Sequence, residues 1–301
     1  LVTRGPGATN AVTGLADANM DRSPVVAIIG QGTTRRLHKE SHQNMDAVAM
    51  MRPISKWAHS IYTADSIPEI VRKGFKLAEA EKPGVTVIEL PEDVAKQDVT
   101  EPPMQPVATR RPAADHKAVT VAAAMIANAK NAIILAGNGA VRKRASTQLR
   151  RLASLTGIPV VNTFMGKGAV AMSDPHCLFT MGLQGKDHVN KAFAEADVVI
   201  SVGYDLVEYD PAFWNADRRH KIVHIDFSPA EIDQHYPVTV DVVADLADAL
   251  WQLNEELITN HGADKPLNDI GKWAKLRQTI IDDLAMEADD DSFPIKPQRV
   301  L

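Results

Sequence analysis

Short apolar runs alternate along this chain with stretches whose apolar positions recur every three or four residues. Residues 25–29 and 85–90 are apolar runs bounded by Pro and Gly, which predicts buried parallel strands. Between them the spacing of Ile67, Ile70, Val71, Gly74, Phe75 and Ala78 predicts a helix over 66–80. Ser66 is its expected N-cap, with Pro68 and Glu69 in the first turn. Residues 98–115 lose this periodicity and hold Pro102, Pro103, Pro106 and Pro112, the pattern of an extended linker. The alternation then resumes. Helices are expected at 118–128, 142–156 (Leu149, Leu152 and Leu155 inward) and 245–258, and strands at 132–136, 159–161, 197–202 and 222–225. Alternating strands and helices of this kind predict an α/β fold with two doubly wound parallel-sheet domains. Residues 116–260 read as a complete domain and 1–97 as part of one.

The two ends read as cut elements. Leu1-Val2-Thr3 has the pattern of the end of a strand, and Gln298-Arg299-Val300-Leu301 that of a helix just begun. The expectation is a piece of a longer polypeptide, with an apolar patch exposed where neighbouring strands would pack.

Composition narrows the function classes. The net charge of -5, with acidic and basic residues interspersed, argues against a nucleic-acid binder, which needs a basic stripe. The longest apolar run, 24–29, is far short of the ~20 residues of a membrane span. A single cysteine, Cys177, rules out an intrachain disulfide and is read as a structural thiol in a reducing, cytoplasmic compartment. Met45, Met50 and Met51 read as core or interface filler, and the acidic run 287–291 as a solvated linker.

The sharpest local feature is Thr3-Arg4-Gly5-Pro6-Gly7-Ala8-Thr9-Asn10, in which a strand enters a Gly-Pro-Gly turn and a helix starts near Ala8. Such a loop lies at the carboxyl end of a parallel sheet, where ligands bind, with helix N–H groups pointing out of it. A plain strand-to-helix turn explains the same residues equally well. Gly137-Asn138-Gly139 begins like a dinucleotide fingerprint, but Arg142 stands where the third glycine belongs, so a structural turn is the better reading. His38 and His42 flank Glu40 without the His-Glu-x-x-His order, and no metal ligands are assigned.

With these blocks in hand, the chain resembles the large subunit of acetolactate synthase, a thiamine-diphosphate-dependent family. The likeness rests on Thr3–Asn10, Thr13-Gly14-Leu15-Ala16-Asp17-Ala18, Gly30-Gln31, His42-Gln43 and Arg52-Pro53-Ile54-Ser55-Lys56-Trp57. It continues through Lys82-Pro83-Gly84, Leu90-Pro91-Glu92-Asp93-Val94, Gly203-Tyr204-Asp205, Glu208-Tyr209-Asp210-Pro211, Phe213-Trp214-Asn215 and His224-Ile225-Asp226. These blocks are colinear over nearly the whole chain.

The resemblance implies that 1–97 is the later part of a pyrimidine-binding domain, 98–115 a linker and 116–260 the central domain. It implies that 261–301 leads into a diphosphate-binding domain, beginning near Pro294-Ile295-Lys296-Pro297. Gly5, Pro6, Gly7 and Asn10 would then bind the cofactor's pyrimidine end, and Gln43 would stand near the reacting carbon. On residue type alone, Asn10 is a first-turn helix residue and Gln43 a loop residue. Asn can nonetheless both donate to and accept from an aminopyrimidine, and Gln can bond a substrate carbonyl. The family's ring-protonating glutamate would precede Leu1, and its Mg²⁺-binding Gly-Asp-Gly motif would follow Leu301.

The implied cofactors are thiamine diphosphate and Mg²⁺. FAD is not expected to be required: biosynthetic relatives carry Arg-Phe-Asp-Asp-Arg after the strand at 198–202, where this chain reads Gly203-Tyr204-Asp205-Leu206-Val207-Glu208-Tyr209-Asp210-Pro211. The pattern resembles the catabolic, FAD-independent type. Glu92, where relatives often carry Lys or Gln, is a departure that bears on an anionic substrate. The implied reaction joins two pyruvates into 2-acetolactate with loss of CO₂, in a homodimer or homotetramer acting on small 2-oxo acids. The alternatives are a pyruvate oxidase or another 2-oxo-acid carboligase and, in a different class, a non-catalytic nucleotide-binding module built on the Gly137 loop.

Overall fold

The computed structural model describes residues 1–182, 188–262, 270–285, 290–296 and 299. The chain divides into two compact units, Leu1–Arg110 and Arg111–Leu301. Residues 98–115 carry neither helix nor strand.

The first unit opens with helix α1 (Pro6–Met20), followed by strand β1 (Val25–Gln31), the short helix α2 (Ala47–Met51), strand β2 (Trp57–Ser60), helix α3 (Ile67–Glu79) and strand β3 (Val85–Pro91). The strands form a parallel sheet in the order β1-β3-β2, and Val2 makes a parallel bridge to Ile29 on the outer side of β1. Alternation along the strands fills two cores. Ala27, Ile29, Val85 and Val87 meet Ala8 and Leu15 of α1 and Met51 of α2, while Ile88 and Leu90 meet Ile67, Ile70 and Val71 of α3. Ser66 does precede α3, but its hydroxyl donates to Thr63 O and does not cap the helix, because a 3-10 turn over Ala64–Ser66 leads into α3.

The second unit contains α4 (His116–Ala127), β4 (Ala132–Ala136), α5 (Lys143–Thr156), β5 (Val160–Asn162), β6 (Cys177–Thr180), α6 (Asn190–Glu195), β7 (Val198–Val202), β8 (Lys221–Asp226), β9 (Val238–Val243), α7 (Leu246–His261) and α8 (Ile270–Ala285). All pairings are parallel, in the order β6-β5-β4-β7-β8-β9. Counted from β4, this is the 3-2-1-4-5-6 arrangement of dinucleotide-binding domains. On one face, Ile134, Val160, Ile200 and Val223 pack against Leu149 and Leu152 of α5 and Leu250 and Leu253 of α7. On the other, Ile133, Leu135, Val161 and Val199 meet Phe193 of α6 and an aromatic group of Tyr204, Tyr209, Trp214 and Tyr236. Each large apolar side chain buried this way contributes ~1.5–3 kcal/mol.

Three strands fall outside the expected set, β2, β6 and β9. They are short or edge strands, so their apolar runs are brief; β9 alternates buried and exposed positions in the manner of a half-solvated edge. Within 261–301, expected to lead out of the domain, α8 lays Trp273 and Ile280 into the second core, with Leu276 on the same face. Of the expected acidic linker at 287–291, residues 287–289 lie outside the described residues. The same holds for Pro297 of the expected domain start and for all of Gln298–Leu301 except Arg299.

Candidate functional site

The site in the first unit is made by loops at the carboxyl ends of its strands. Val2 N donates to Ile28 O at 2.9 Å and Gly30 N to Val2 O at 3.0 Å, so the segment entering the Gly-Pro-Gly loop runs beside β1 and emerges at that end. Gly5 lies at φ +54 and begins α1, with Thr9 N donating back to its carbonyl at 3.0 Å. Pro6 takes the first helical position, where its missing N–H costs nothing. The helix therefore starts two residues before Ala8. Asn10 falls in its second turn, one turn along from Pro6, and both are exposed.

Gln43 comes from a different loop and meets this one. A Cβ on Gly5 would stand 2.9 Å from Gln43 Cβ. Gln43 is exposed and holds φ 56, a left-handed conformation unusual for a side-chain-bearing residue. Its neighbours hold it there. Asn44 Nδ2 donates to the carbonyls of Arg36, Leu37 and Lys39 at 3.2–3.3 Å, and Asp46 caps α2 by accepting from Ala49 N at 2.9 Å. From below, buried Gln31 donates through Nε2 to Met45 O at 2.9 Å and to buried Glu89 at 2.8 Å. The Gly5 turn and Gln43 are thus brought together, and Gln31 and Glu89 support them. Sequence reasoning passes over this second pair, although a glutamate inside the otherwise apolar β3 run is the signal for it.

Two acids follow β3. Asp93 accepts from Thr34 N at 3.0 Å and Thr34 Oγ1 at 2.6 Å, and these bonds hold its carboxyl below the usual range. Glu92 pairs with Lys96 at 2.7 Å on the surface, and the bond from Lys96 lowers its pKa.

In the second unit, the turn after β4 and the turn after β7 lie against each other. Gly139 N donates to Gly203 O at 2.8 Å, and a Cβ on Gly139 would stand 2.8 Å from Gly203 Cα. The carboxylate of buried Glu208 accepts from Asn138 N at 3.0 Å, Asp205 N at 2.9 Å and Thr163 Oγ1 at 2.5 Å. Burial raises its pKa, against the pull of those donors. His224 is buried, its Nδ1 2.9 Å from the hydroxyl of Tyr236, and Asp226 accepts from Phe227 N and Ser228 N. Cys177 is buried and its thiol is pushed up by burial.

Comparison with known proteins bears on both units. Residues 1–50 match the family model described as thiamine pyrophosphate enzyme, N-terminal TPP binding domain, and residues 119–253 match thiamine pyrophosphate enzyme, central domain. The chain belongs to the thiamine pyrophosphate enzymes. Among relatives in this family, it is 36% identical over 310 residues to a probable acetolactate synthase large subunit of Methanocaldococcus jannaschii, covering 99% of this chain and 51% of the relative. It is 34% identical over 317 residues to a probable acetolactate synthase large subunit of Methanococcus aeolicus (99% and 52%), and 35% over 262 residues to a catabolic acetolactate synthase of Raoultella terrigena (85% and 46%). The chain spans about half the length of the curated relatives it matches.

The residues present suit the pyrimidine end of the family's cofactor. The exposed Pro6–Asn10 face and the neighbouring Gln43 offer an apolar ring edge and two amides at the carboxyl end of the sheet. No group of three His, Cys, Asp or Glu gathers to hold a metal ion among the described residues, and none of the described helices is long and apolar enough to cross a membrane.

Proposed function

We propose that this chain is part of an acetolactate synthase, a carboligase that joins two molecules of pyruvate with loss of CO₂ and uses thiamine diphosphate and Mg²⁺. The observation that carries the reading is the meeting of the Gly5 turn with Gln43. Two blocks far apart in sequence, each like a block of the same family, converge at the carboxyl end of one sheet. When bound, the cofactor supplies an electron sink for the pair left by decarboxylation. The chain's own residues do the positioning. Pro6 and Asn10 flank the pyrimidine, Asn10 through its amide. Gln43 donates an amide N–H to the substrate carbonyl, from a backbone fixed on both sides. Gly5 leaves room for that backbone. Glu92 does not face the substrate as a bare anion, since Lys96 is its partner.

The reading includes independence from FAD, supported by the absence of arginines between Gly203 and Pro211. It further includes a cytoplasmic homodimer or homotetramer. The test uses the intact polypeptide that carries this chain, supplied with pyruvate, thiamine diphosphate and Mg²⁺. Acetolactate formed without FAD supports the proposal. Product that appears only after FAD is added overturns the flavin reading, and no product under either condition overturns the choice of reaction.

A further inference from the structure

In a doubly wound sheet a ligand crevice opens where the strand order reverses, because there the two flanking connections leave in opposite directions. In the second unit that point lies between β4 and β7. The chain leaves β4 for β5 on one side and returns from β6 to β7 on the other. The loop after β4 is the Gly137-Asn138-Gly139 turn, the element that in dinucleotide-binding domains receives a pyrophosphate on its N–H groups. The structure gives those groups other partners. Gly137 N donates to Val202 O, Gly139 N to Gly203 O and Ala140 N to Gly137 O, at 2.8–3.0 Å. Asn138 N, in the same turn, donates to Glu208.

We infer that Glu208 is the built-in anion of this crevice: its carboxylate takes the seat of a phosphate and makes the second unit refuse nucleotides. Three donors from three separate segments converge on that one group. They are Asn138 N after β4, Asp205 N after β7 and Thr163 Oγ1 after β5. The Thr163 hydroxyl donates because a carboxylate can only accept, and its oxygen is held in place by accepting from Gly166 N at 2.9 Å. This is the donor set of an oxyanion site, and it is satisfied from within the chain. Space is closed as well. Glu208 is 7% exposed, and a Cβ on Gly137 would stand 2.8 Å from its Oε1. A phosphate entering here would displace a buried carboxylate and meet its charge, with Asp205 adding to the repulsion. The inference concerns the second unit alone; it deepens the flavin independence proposed above, and ADP binding tests it without reference to the reaction.

The experiment titrates ADP into the full chain and into Glu208→Ala and Glu208→Gln, each shown folded by circular dichroism, with binding read by calorimetry. The wild-type chain is expected to give no saturable binding. Glu208→Ala frees three donors and removes the charge, and is expected to bind ADP saturably, at least ~10-fold more tightly than the weakest affinity the wild-type titration could have detected, with Glu208→Gln between the two. Adding Thr163→Val to the Ala variant should remove the gain. Saturable ADP binding by wild type with the same affinity in the variants overturns the inference, as does a gain that survives Thr163→Val. Should Glu208→Ala not fold, the Gln variant decides alone: a folded Gln variant without any gain overturns the inference.

Discussion

Gly5 and Gln43, 38 positions apart in the chain, share one small space: a methyl group placed on Gly5 would lie 2.8 Å from the carbonyl oxygen of Gln43. Both hold positive φ, so each loop relies on the other to keep a conformation it would not choose alone. Gly5→Ala is therefore expected to destabilise the chain by ~2 kcal/mol or more, through left-handed strain and the clash together. Gly14, within α1 with nothing within 4 Å of an added Cβ, is the control, and Gly14→Ala should stabilise by ~0.5–1 kcal/mol. Denaturant midpoints of the two variants check the pair, and equal shifts would refute the account.

Gln43 separates stability from function. Gln43→Gly relieves a left-handed side-chain residue and should leave the chain as stable as before, or more stable by up to ~1–2 kcal/mol. In the intact enzyme the same change should lower acetolactate formation ~10-fold or more, if its amide bonds the substrate carbonyl. Full activity in the Gly variant would remove Gln43 from the site.

The buried Gln31–Glu89 pair should anchor the Gln43 loop. Gln31→Ala removes the amide from which both Met45 O and buried Glu89 accept, at an expected cost of ~1–3 kcal/mol. Hydrogen exchange at Gly32, whose N–H donates to Gln31 Oε1, should quicken in the same variant. Unchanged exchange there would show that the loop stands without the anchor.

Asp93 makes an acid-side prediction. Its folded carboxyl is held below the ordinary value by Thr34, so the unfolded chain takes up the proton first as pH falls. That contribution is present above the unfolded pKa of ~3.9 and is lost as pH drops through the lower folded value. Thr34→Val should accordingly cost stability near neutral pH, and the gap to wild type should close in acid. Urea midpoints of both proteins at neutral pH and below about pH 4 measure this. A gap that does not change with pH would assign the cost to lost packing instead.

Cys177 should resist thiol reagents in the native chain, since burial both hides it and holds it protonated. Its labelling should follow unfolding in denaturant, and prompt stoichiometric reaction in buffer would contradict the burial.

What the sequence made legible was whatever depends on local pattern. The runs at 132–136 and 197–202 are apolar throughout because helices cover both faces, so their strands stand out. β6 runs only from Cys177 to Thr180 and β9 alternates, so neither does. The helix α8 was legible in principle from Trp273, Leu276 and Ile280, but its charged face and the lack of a strand after it made it look like an exit. At the site, resemblance pointed to Gly5 and Gln43, which residue type alone left as a turn glycine and a loop residue, while nothing in a linear reading joins Gln31 to Glu89 or Glu208 to Thr163. Those pairs exist only because parallel strands bring distant carboxyl ends side by side.

The filled crevice at Glu208 has a thermodynamic side. A domain that needs a nucleotide in its cleft has a stability that rises and falls with supply, by RT ln(1 + [L]/Kd). Here the group in the cleft belongs to the chain itself, three residues from Asp205 and 70 from Asn138, at an effective concentration that no dilution lowers. On the inference drawn for Glu208, the stability of the second unit should not change with nucleotide concentration, so its melting temperature should be the same with and without added ADP.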